Sequence, residues 1–269
     1  MRILITNDDG YESLGIKVLS EIVRPMGEIT VVAPKTVQSG MSMAVTIGGK
    51  PIAARKVSDE PGESWYYVDG TPASCVKYYM SILCAEGDKP GLVLSGINHG
   101  GNYASAALYS GTVGAAEEAA LSGVTAVALS LDNLYPTEED FECVRVFLPG
   151  ILEKLLASPA RRFGMVYNIN FPAVSPERVK GVKVCAPGVI RWVREYEGWV
   201  NVPGGPVAYP EEGESLFRMQ GDVELDEDNA PDCDVNLIAE DWITVTALNI
   251  MSFDADENER LRGLKLGVR

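Results

Sequence analysis

The chain has 269 residues, of which 46% are hydrophobic and 23% are charged, as expected for one large globular domain or a domain with an appendage. The formal net charge of -15 argues against a nucleic-acid polymer or an anionic membrane as partner, because surfaces that bind these partners are rich in Lys and Arg. A phosphate-bearing ligand must therefore be held locally, by a metal, backbone amides or hydroxyl groups.

Cysteine and histidine usage excludes further kinds of site. The five cysteines are scattered and form no C-x-x-C pair, so we expect reduced cysteines that mostly fill the core. His99 is the single histidine, which excludes a His-rich zinc site and a Ser-His-Asp triad built on any other histidine. We see no leader peptide and no run of about 18 apolar residues. We therefore expect a cytoplasmic protein.

The first predicted element is a buried strand that ends in two carboxylates. Four apolar or β-branched residues, Ile3 to Thr6, precede Asn7-Asp8-Asp9-Gly10, and such a run is typical of a parallel strand covered on both faces. Adjacent carboxylates repel each other unless a positive charge lies between them, so a divalent cation is the economical explanation. The alternative is a turn in which an Asp caps a helix.

Apolar runs and helical periodicities then alternate through residues 1–172. This alternation predicts an α/β fold, a Rossmann-like, mostly parallel, doubly wound sheet. Residues 44–68 alternate less cleanly and suggest short strands outside the regular winding. Pro149 should bend or split the helix that begins near Thr137. Further strands are predicted at 28–34, 91–97, 124–131, 165–171 and 182–186, and helices at 13–23, after Thr71 and after Ser110.

The sequence pattern changes after Pro187. Antiparallel strands separated by Gly- and Pro-rich turns follow, with exposed aromatic residues that should pair or dock on another subunit. We therefore predict a catalytic core at 1–187, a β-hairpin extension for oligomerisation at 188–233, and a strand returning to the core plus a C-terminal arm at 234–269.

Two loops near the carboxyl edge of the predicted sheet carry further side-chain oxygens. Ser39 and Ser42 lie in the loop after the second strand, and spacing alone does not choose between them or exclude a solvated loop serine. Asn98 and Asn102 follow the strand at 91–97 in a glycine-rich loop, where asparagines also serve as turn formers. The set of strand ends nevertheless favours one shared site.

The segment Ser110-Gly111-Thr112 runs into an alanine-rich helix. Free amides, two hydroxyls and the positive end of a helix dipole form an anion site there. The alternative is a plain N-cap followed by small residues that allow close packing.

The chemistry of this set is that of hard oxygen ligands, which suits Mg²⁺, Mn²⁺ or Ca²⁺. A metal beside an anion-binding helix start is typical of phosphoryl chemistry, with Asp8 or Asp9 handling the proton of a water. A dinucleotide dehydrogenase would need a G-x-G-x-x-G motif after the first strand, and this sequence has none there. An aspartyl-phosphate phosphatase and a non-catalytic metal-dependent nucleotide-binding or signalling module remain as alternatives. His99 could protonate a leaving alcohol, or it could be a structural loop histidine.

Five motifs, in this order, closely resemble the SurE survival-protein nucleotidases. They are MRILITNDDGY at 1–11, Ala33-Pro34 with Gln38-Ser39-Gly40, Asp69-Gly70-Thr71-Pro72, SGINHGGN at 95–102 and YSGTVGAA at 109–116.

This resemblance implies a Rossmann-like core and a metal-dependent 5'- and 3'-nucleotidase for nucleoside monophosphates, with exopolyphosphatase activity in some members. It implies one Mg²⁺ or Mn²⁺ per subunit and a homodimer or homotetramer assembled through the C-terminal extension. By position, it makes Asp8 and Asp9 catalytic residues. The implied metal ligands are Asp8, Asp9, Ser39 and Asn98, and the implied phosphate-binding residues are Asn102, Ser110, Gly111 and Thr112.

Overall fold

Strands and helices alternate along the computed structural model, which describes residues 1–85, 88–158, 162–203, 205–252, 256 and 258–260. The strands are β1 (Arg2–Thr6), β2 (Glu28–Pro34), β3 (Ala54–Glu60), β4 (Glu63–Val68), β5 (Leu92–His99), β6 (Ala126–Leu131), β7 (Met165–Phe171), β8 (Gly181–Val184), β9 (Ile190–Val193), β10 (Tyr196–Gly198), β11 (Phe217–Met219), β12 (Asp222–Leu225) and β13 (Trp242–Asn249). The α-helices are α1 (Leu14–Val23), α2 (Pro72–Tyr78), α3 (Gly111–Leu121), α4 (Glu142–Ala157) and α5 (Asp234–Ala239).

Nine of these strands form one sheet in the order β3-β4-β2-β1-β5-β6-β7-β13-β8. From β4 to β7, each neighbouring pair is parallel. The antiparallel pairs involve β3 at one edge and β13 beside β7. Helices α1 and α4 pack on one face and α2 and α3 on the other. The predicted α/β class with a mostly parallel, doubly wound sheet is confirmed.

Buried apolar runs explain why the central strands form where they do. Residues 3–5 of β1, 92–94 of β5 and 126–129 of β6 are fully or almost fully buried, as expected for parallel strands covered by helices on both faces. Because β1 and β5 are neighbours in register, with Thr6 opposite Ser95, the loops that follow them emerge side by side. This register brings the predicted site loops to one edge of the sheet.

The prediction that residues 44–68 lie outside the regular winding is wrong for its second half. Strand β4 pairs in parallel with β2 over six positions, and β3 pairs antiparallel with β4. The pattern is weak because β4 is only half-buried and every residue of β3 is exposed. An edge strand with the sequence ARKVSDE is charged enough to discourage pairing with another chain.

Of the two predicted outcomes at Pro149, a bend or a split of its helix, the split is wrong. Helix α4 runs unbroken from Glu142 to Ala157 with Pro149 inside it. Pro149 and Gly150 are exposed, so water can satisfy the carbonyl group that loses its intrahelical partner at a proline.

Residues 190–225 form two short antiparallel ladders outside the main sheet. β9 pairs with β12 and β10 pairs with β11, which confirms the predicted hairpins, although each strand has only three or four residues. We call residues 188–233 the extension, and its boundaries stay a prediction. A small apolar cluster of Ala104, Ile190, Cys233 and Val235 joins it to the core.

Two predictions concern the chain beyond the core. The C-terminal arm predicted within 234–269 lies almost entirely outside the described residues. Within the ranges that the structure describes, no helix is both long enough and apolar enough to cross a membrane.

Candidate active site

Asp8 follows β1 and is the most buried carboxylate of the predicted site, with 3% of its surface exposed. Its Oδ1 accepts a hydrogen bond of 2.6 Å from the Thr112 hydroxyl. Burial removes water from the carboxylate and Asp9 adds repulsion, and together they raise the pKa of Asp8 to about 6 despite the Thr112 hydrogen bond. Because desolvation and like charge both disfavour the anion, this position favours a bound cation.

Asp9 connects the loop after β1 to the end of β5. Its Oδ2 accepts a hydrogen bond of 3.0 Å from the backbone N–H of His99. Burial raises its pKa, although the His99 N–H opposes that shift. In the described part of the chain, neither Asp8 nor Asp9 forms an ion pair with a Lys or Arg side chain. Among the residues that the structure describes, the two carboxylates therefore lack a counter-charge.

His99 has a structural environment. Its Nε2 accepts a hydrogen bond of 3.2 Å from the Gly15 N–H, so the proton of the neutral ring is on Nδ1. Burial lowers the pKa of His99, and the charge of Asp8 only partly offsets this effect. Gly15 cannot carry a side chain here, because a Cβ would lie 2.0 Å from the Ile97 carbonyl oxygen. These contacts favour a structural role for His99 over a role as the acid that protonates the leaving alcohol.

The structure distinguishes Ser39 from Ser42. Ser39 is exposed and lines the same cleft as Asp8, whereas the Ser42 hydroxyl donates to the Leu108 carbonyl at 2.8 Å. The Gln38 N–H donates to the Asp8 carbonyl at 2.7 Å, which keeps this loop beside β1. Of the two serines, Ser39 is therefore the one that can contact a ligand bound beside Asp8 in this cleft.

Asn98 closes β5 with a fixed amide orientation. Its Nδ2 donates to the Gly100 carbonyl at 2.7 Å. The Oδ1 atom is then the part of this side chain that can coordinate a metal. Asn98 also lines the cleft with Asp8.

Asn102 is held by asparagines that the sequence reasoning missed. Its N–H donates to Asn170 Oδ1 at 2.7 Å, and its carbonyl accepts from Asn168 Nδ2 at 2.7 Å and from Asn170 Nδ2 at 3.3 Å. Its own Nδ2 donates to the Ser130 hydroxyl at 2.9 Å. The signal was the sequence MVYNINF, because two asparagines on one face of an otherwise apolar buried strand need buried polar partners.

Helix α3 begins against Asp8. Ser110 is its N-cap, and its hydroxyl accepts from the Val113 N–H at 3.1 Å. Gly111 allows the close approach, because a Cβ there would lie 2.9 Å from the Asp8 Cβ. Thr112 is fully buried and its hydroxyl donates to Asp8. The backbone N–H of Thr112 also interacts with the Asp8 carboxylate and lowers its pKa, so both polar groups act on Asp8.

These residues meet in a cleft of about 620 Å³. Five of the predicted residues line it, namely Asp8, Ser39, Asn98, Asn102 and Ser110. Asp9, Gly111 and Thr112 are not among the lining residues, and Gly111 and Thr112 contact Asp8 instead.

The donor set fits a hard divalent cation. Across the described ranges, no group of three or more His, Cys, Asp or Glu residues could hold a metal, so a cation here would need the neutral oxygens of Ser39 and Asn98 beside the two carboxylates. Oxygen-only coordination with few protein ligands is typical of Mg²⁺ and Mn²⁺.

The fold and this edge of the sheet define a doubly wound α/β protein with a candidate cation and phosphate site at its strand ends. The family model described as Survival protein SurE matches residues 3–194. The chain belongs to the SurE family.

Individual relatives match nearly the whole chain. A protein of Cytophaga hutchinsonii named 5'-nucleotidase SurE is 38% identical over 244 residues, which cover 90% of this chain and 88% of that protein. One of the same name from Nitratidesulfovibrio vulgaris is 39% identical over 268 residues, which cover 98% of this chain and 100% of that protein. The crystal structure of the SurE protein from Aquifex aeolicus has a TM-score of 0.78 at 28% identity, covering 98% of this chain and 100% of that one.

Proposed function

We propose that this chain is a phosphomonoester hydrolase of the 5'-nucleotidase type that acts on nucleoside monophosphates and depends on a divalent cation. Relatives that match nearly the whole chain are named 5'-nucleotidase SurE. The structural observation that supports the metal dependence is the buried Asp8 carboxylate, which has no counter-charge within the described ranges and lies in a cleft lined by Ser39 and Asn98. Activity on 3'-monophosphates and on polyphosphate is part of the proposal.

The cation would be Mg²⁺ or Mn²⁺, one per subunit, with Asp8, Asp9, Ser39 and Asn98 as ligands. When bound, it supplies positive charge to the phosphoryl oxygens and lowers the pKa of water. Asp8 and Asp9 hold negative charge at the strand end. One of the two would also accept the proton of the attacking water.

The phosphate would lie at the start of α3. Amides of the first turn, including that of Gly111, would meet the anion together with the positive end of the helix dipole; Thr112 would act beside them through Asp8. The Ser110 hydroxyl accepts from Val113, so its own proton remains for a phosphate oxygen. Asn102 completes this group from the facing loop, where it lines the same cleft.

The leaving alcohol receives its proton from water in this proposal. His99 uses Nε2 as an acceptor for Gly15, and burial lowers its pKa. In a neutral imidazole, the nitrogen that accepts a hydrogen bond carries no proton, so Nε2 has none to donate.

A substrate panel with cation arms tests the proposal. Nucleoside 5'- and 3'-monophosphates and polyphosphate are each offered with Mg²⁺, Mn²⁺ or EDTA. We expect hydrolysis of 5'-monophosphates that EDTA abolishes. A protein that binds nucleotide with cation but turns none over would be the non-catalytic module, and an acid-stable phosphoryl-enzyme would identify the aspartyl-phosphate mechanism.

Asp8→Asn and Asp9→Asn test the site assignment. Each change removes a charged ligand while nearly preserving shape, so we expect folding to stay intact and kcat/KM to fall by about 100-fold or more. Asp59→Asn, on the exposed strand β3, is the matched control and should leave the rate unchanged. Near-native turnover in either site variant contradicts the assignment.

A further inference from the structure

The cleft of the candidate active site also contains an aromatic pair. Tyr109 and Trp192 line it together with Asp8, Ser39 and Ser110. Their ring centroids lie 5.3 Å apart at an interplanar angle of 87°, an edge-to-face arrangement that aromatic pairs favour. Tyr109 is 58% exposed, so the pair presents aromatic surface to a ligand. We call these two side chains the aromatic wall.

The aromatic wall is fixed to the core by hydrogen bonds at the base of the extension. The Ile190 N–H donates to the Ser105 hydroxyl at 2.9 Å, and that hydroxyl donates to the Ile190 carbonyl. Ile190 and Trp192 lie two residues apart on β9 and therefore on the same face. Both line the cleft. Trp192 is thus held against the turn that leads into Tyr109.

A single buried carboxylate aligns the two segments that carry the aromatic wall. Asp234 is 1% exposed, and its Oδ2 accepts from the Ala104 N–H at 2.9 Å. Its Oδ1 accepts from the Gly188 N–H at 2.7 Å. The turn at Ala104–Leu108 and the first strand of the extension are therefore tied to one point. Asp234 therefore holds the segment that leads into β9 beside the turn that leads to Tyr109.

We propose that Tyr109 and Trp192 form the subsite for the nucleobase, an inference that rests on the proposed function. Tyr109 directly precedes Ser110, so a phosphate at the start of α3 has an aromatic surface at its side. Stacking on aromatic side chains suits any base, because every base has a π-face. A neutral flat ring also avoids the repulsion that a second anionic group would meet in a chain with a net charge of -15. The enzyme then distinguishes nucleotides from phosphomonoesters that lack a base.

Polar groups beside the aromatic wall can contact the edges of a base. A second cleft, of about 730 Å³, shares Tyr109 and Trp192 with the first and is also lined by Glu195 and Gln220. These two side chains offer hydrogen-bonding atoms in the cleft that shares the aromatic wall. Stacking alone would bind all bases, and these groups would grade the preference among them.

Trp192→Leu tests the subsite with two substrates that differ only in the base. For adenosine 5'-monophosphate, we expect the KM to rise roughly 5- to 100-fold, the range that the loss of one stacking contact produces. The kcat should change little, because the phosphate end is untouched. For ribose 5-phosphate, KM and kcat should both stay unchanged. Trp192→Phe keeps a ring and should restore most of the affinity for adenosine 5'-monophosphate.

Phe217→Leu is the matched control. Phe217 belongs to the same extension and pairs with Tyr196, but it lines neither cleft. We expect unchanged kinetics for both substrates. Circular dichroism and light scattering on each variant check folding and subunit number. If Trp192→Leu changes the number of subunits and leaves the affinity for adenosine unaltered, the aromatic wall is a contact between copies of the chain. This result would overturn the subsite.

Calorimetric binding of adenosine separates this inference from the proposed function. If the unaltered protein hydrolyses no phosphomonoester with any cation, the proposed function fails, and loss of adenosine binding in Trp192→Leu still supports the subsite. If hydrolysis proceeds but Trp192→Leu leaves the KM for adenosine 5'-monophosphate unchanged, the subsite is wrong. An equal rise in KM for ribose 5-phosphate has the same meaning.

Discussion

Thr112 controls the environment of Asp8 at the residue scale. The resemblance assigns Thr112 to phosphate, and the structure gives its hydroxyl to the Asp8 carboxylate at 2.6 Å. That hydrogen bond opposes the rise in the pKa of Asp8 that burial causes. It also orients the carboxylate, since the hydroxyl uses Oδ1. The hydroxyl and the backbone N–H of Thr112 thus both act on a proposed metal ligand.

Thr112→Val removes the hydroxyl with little change in volume. We expect cation affinity to fall by about 10-fold, because partners that orient a metal ligand contribute that much or more. The inhibition constant of inorganic phosphate at saturating cation should change less. Calorimetry with Mg²⁺ or Mn²⁺ alone measures the first quantity and inhibition kinetics the second. Thr112→Ser keeps the hydroxyl and should bind the cation normally. If Thr112→Val instead binds phosphate more weakly with unaltered cation affinity, this role of the hydroxyl is contradicted.

The sequence indicated the ligand side chains better than the residues that hold them. Asp8, Ser39 and Asn98 follow recognisable strands, so their strand-end positions were predictable. The preference for Ser39 over Ser42 depends on a hydrogen bond to Leu108, a contact between distant loops that spacing does not report. Asn170 was missed because its partner, Asn102, lies on another strand's loop.

At the element scale, β7 supports the loop that carries Asn102. Asn170 is the acceptor for the Asn102 N–H, whereas the Asn102 carbonyl has two donors, Asn168 and Asn170. The two asparagines are buried, but their replacement has different consequences. Loss of Asn170 leaves a buried N–H without a partner, and loss of Asn168 leaves each Asn102 backbone group with one.

Asn170→Leu should therefore lower the free energy of unfolding more than Asn168→Leu. We expect the difference to be about 1–3 kcal/mol, the usual cost of an unsatisfied buried donor. Urea unfolding of the two variants measures it, and kcat/KM for a nucleoside monophosphate should fall in the same order. Equal destabilisation would show that the Asn102 N–H is not what β7 supports.

Glu63 joins β4 to α1 and makes stability depend on pH. Its Oε1 accepts from Ser20 and Trp65, and its Oε2 accepts from Arg24. Burial raises its pKa, but the hydrogen bonds from Ser20 and Trp65 and the Arg24 charge outweigh burial and hold the pKa below the usual 4.5. A lowered folded-state pKa stabilises the protein above the unfolded value, and this contribution is lost as the pH falls through the folded value.

Glu63→Gln should lower the free energy of unfolding at pH 7 by about 1 kcal/mol, because the charge-assisted contact with Arg24 is lost. The difference from the unaltered protein should shrink below pH 4.5 and vanish once the carboxyl is protonated in the folded state. Denaturant unfolding between pH 3 and 7 checks the trend. Glu60→Gln, at an exposed position of β3, is the control; a difference that does not depend on pH would contradict the argument.

Elements with continuous apolar runs were the ones that the sequence located best. The predicted bounds of β2 and β7 coincide with the structure, because both strands are mostly apolar and buried over most of their length. Strand β4 was misplaced since its half-buried residues produce neither a clean alternation nor an apolar run. Its membership of the sheet depends on pairing with β2, which is a tertiary contact.

At the scale of the whole molecule, the extension exposes apolar surface far from the core. Tyr196, Phe217 and Val200 are 66%, 59% and 73% exposed. Tyr196 and Phe217 lie on the β10–β11 ladder, and Val200 follows β10. Exposed apolar side chains of this size are typical of a surface that contacts another subunit. The homodimer or homotetramer assembled through residues 188–233 stays a prediction.

The double variant Tyr196→Asp with Phe217→Asp tests this assembly. Charged side chains on both residues of an edge-to-face pair should oppose burial at a subunit contact. We expect light scattering to report more than one subunit for the unaltered protein and a smaller species for the variant. Glu197→Gln on the same ladder is a control that should keep the assembly. A monomer in both proteins would end the prediction.

Strand β13 lies between β7 and β8, although residues 242–249 follow the extension in the chain. During synthesis, β7 therefore leaves the ribosome with one unpaired edge and keeps it until the extension and β13 have been made. Asn168 and Asn170 belong to that strand, so the loop of Asn102 is anchored to an unfinished sheet in the nascent chain. A ribosome that pauses before Trp242 presents an edge that another nascent chain can pair with. We therefore expect slower translation through the extension to lower the yield of correctly folded protein.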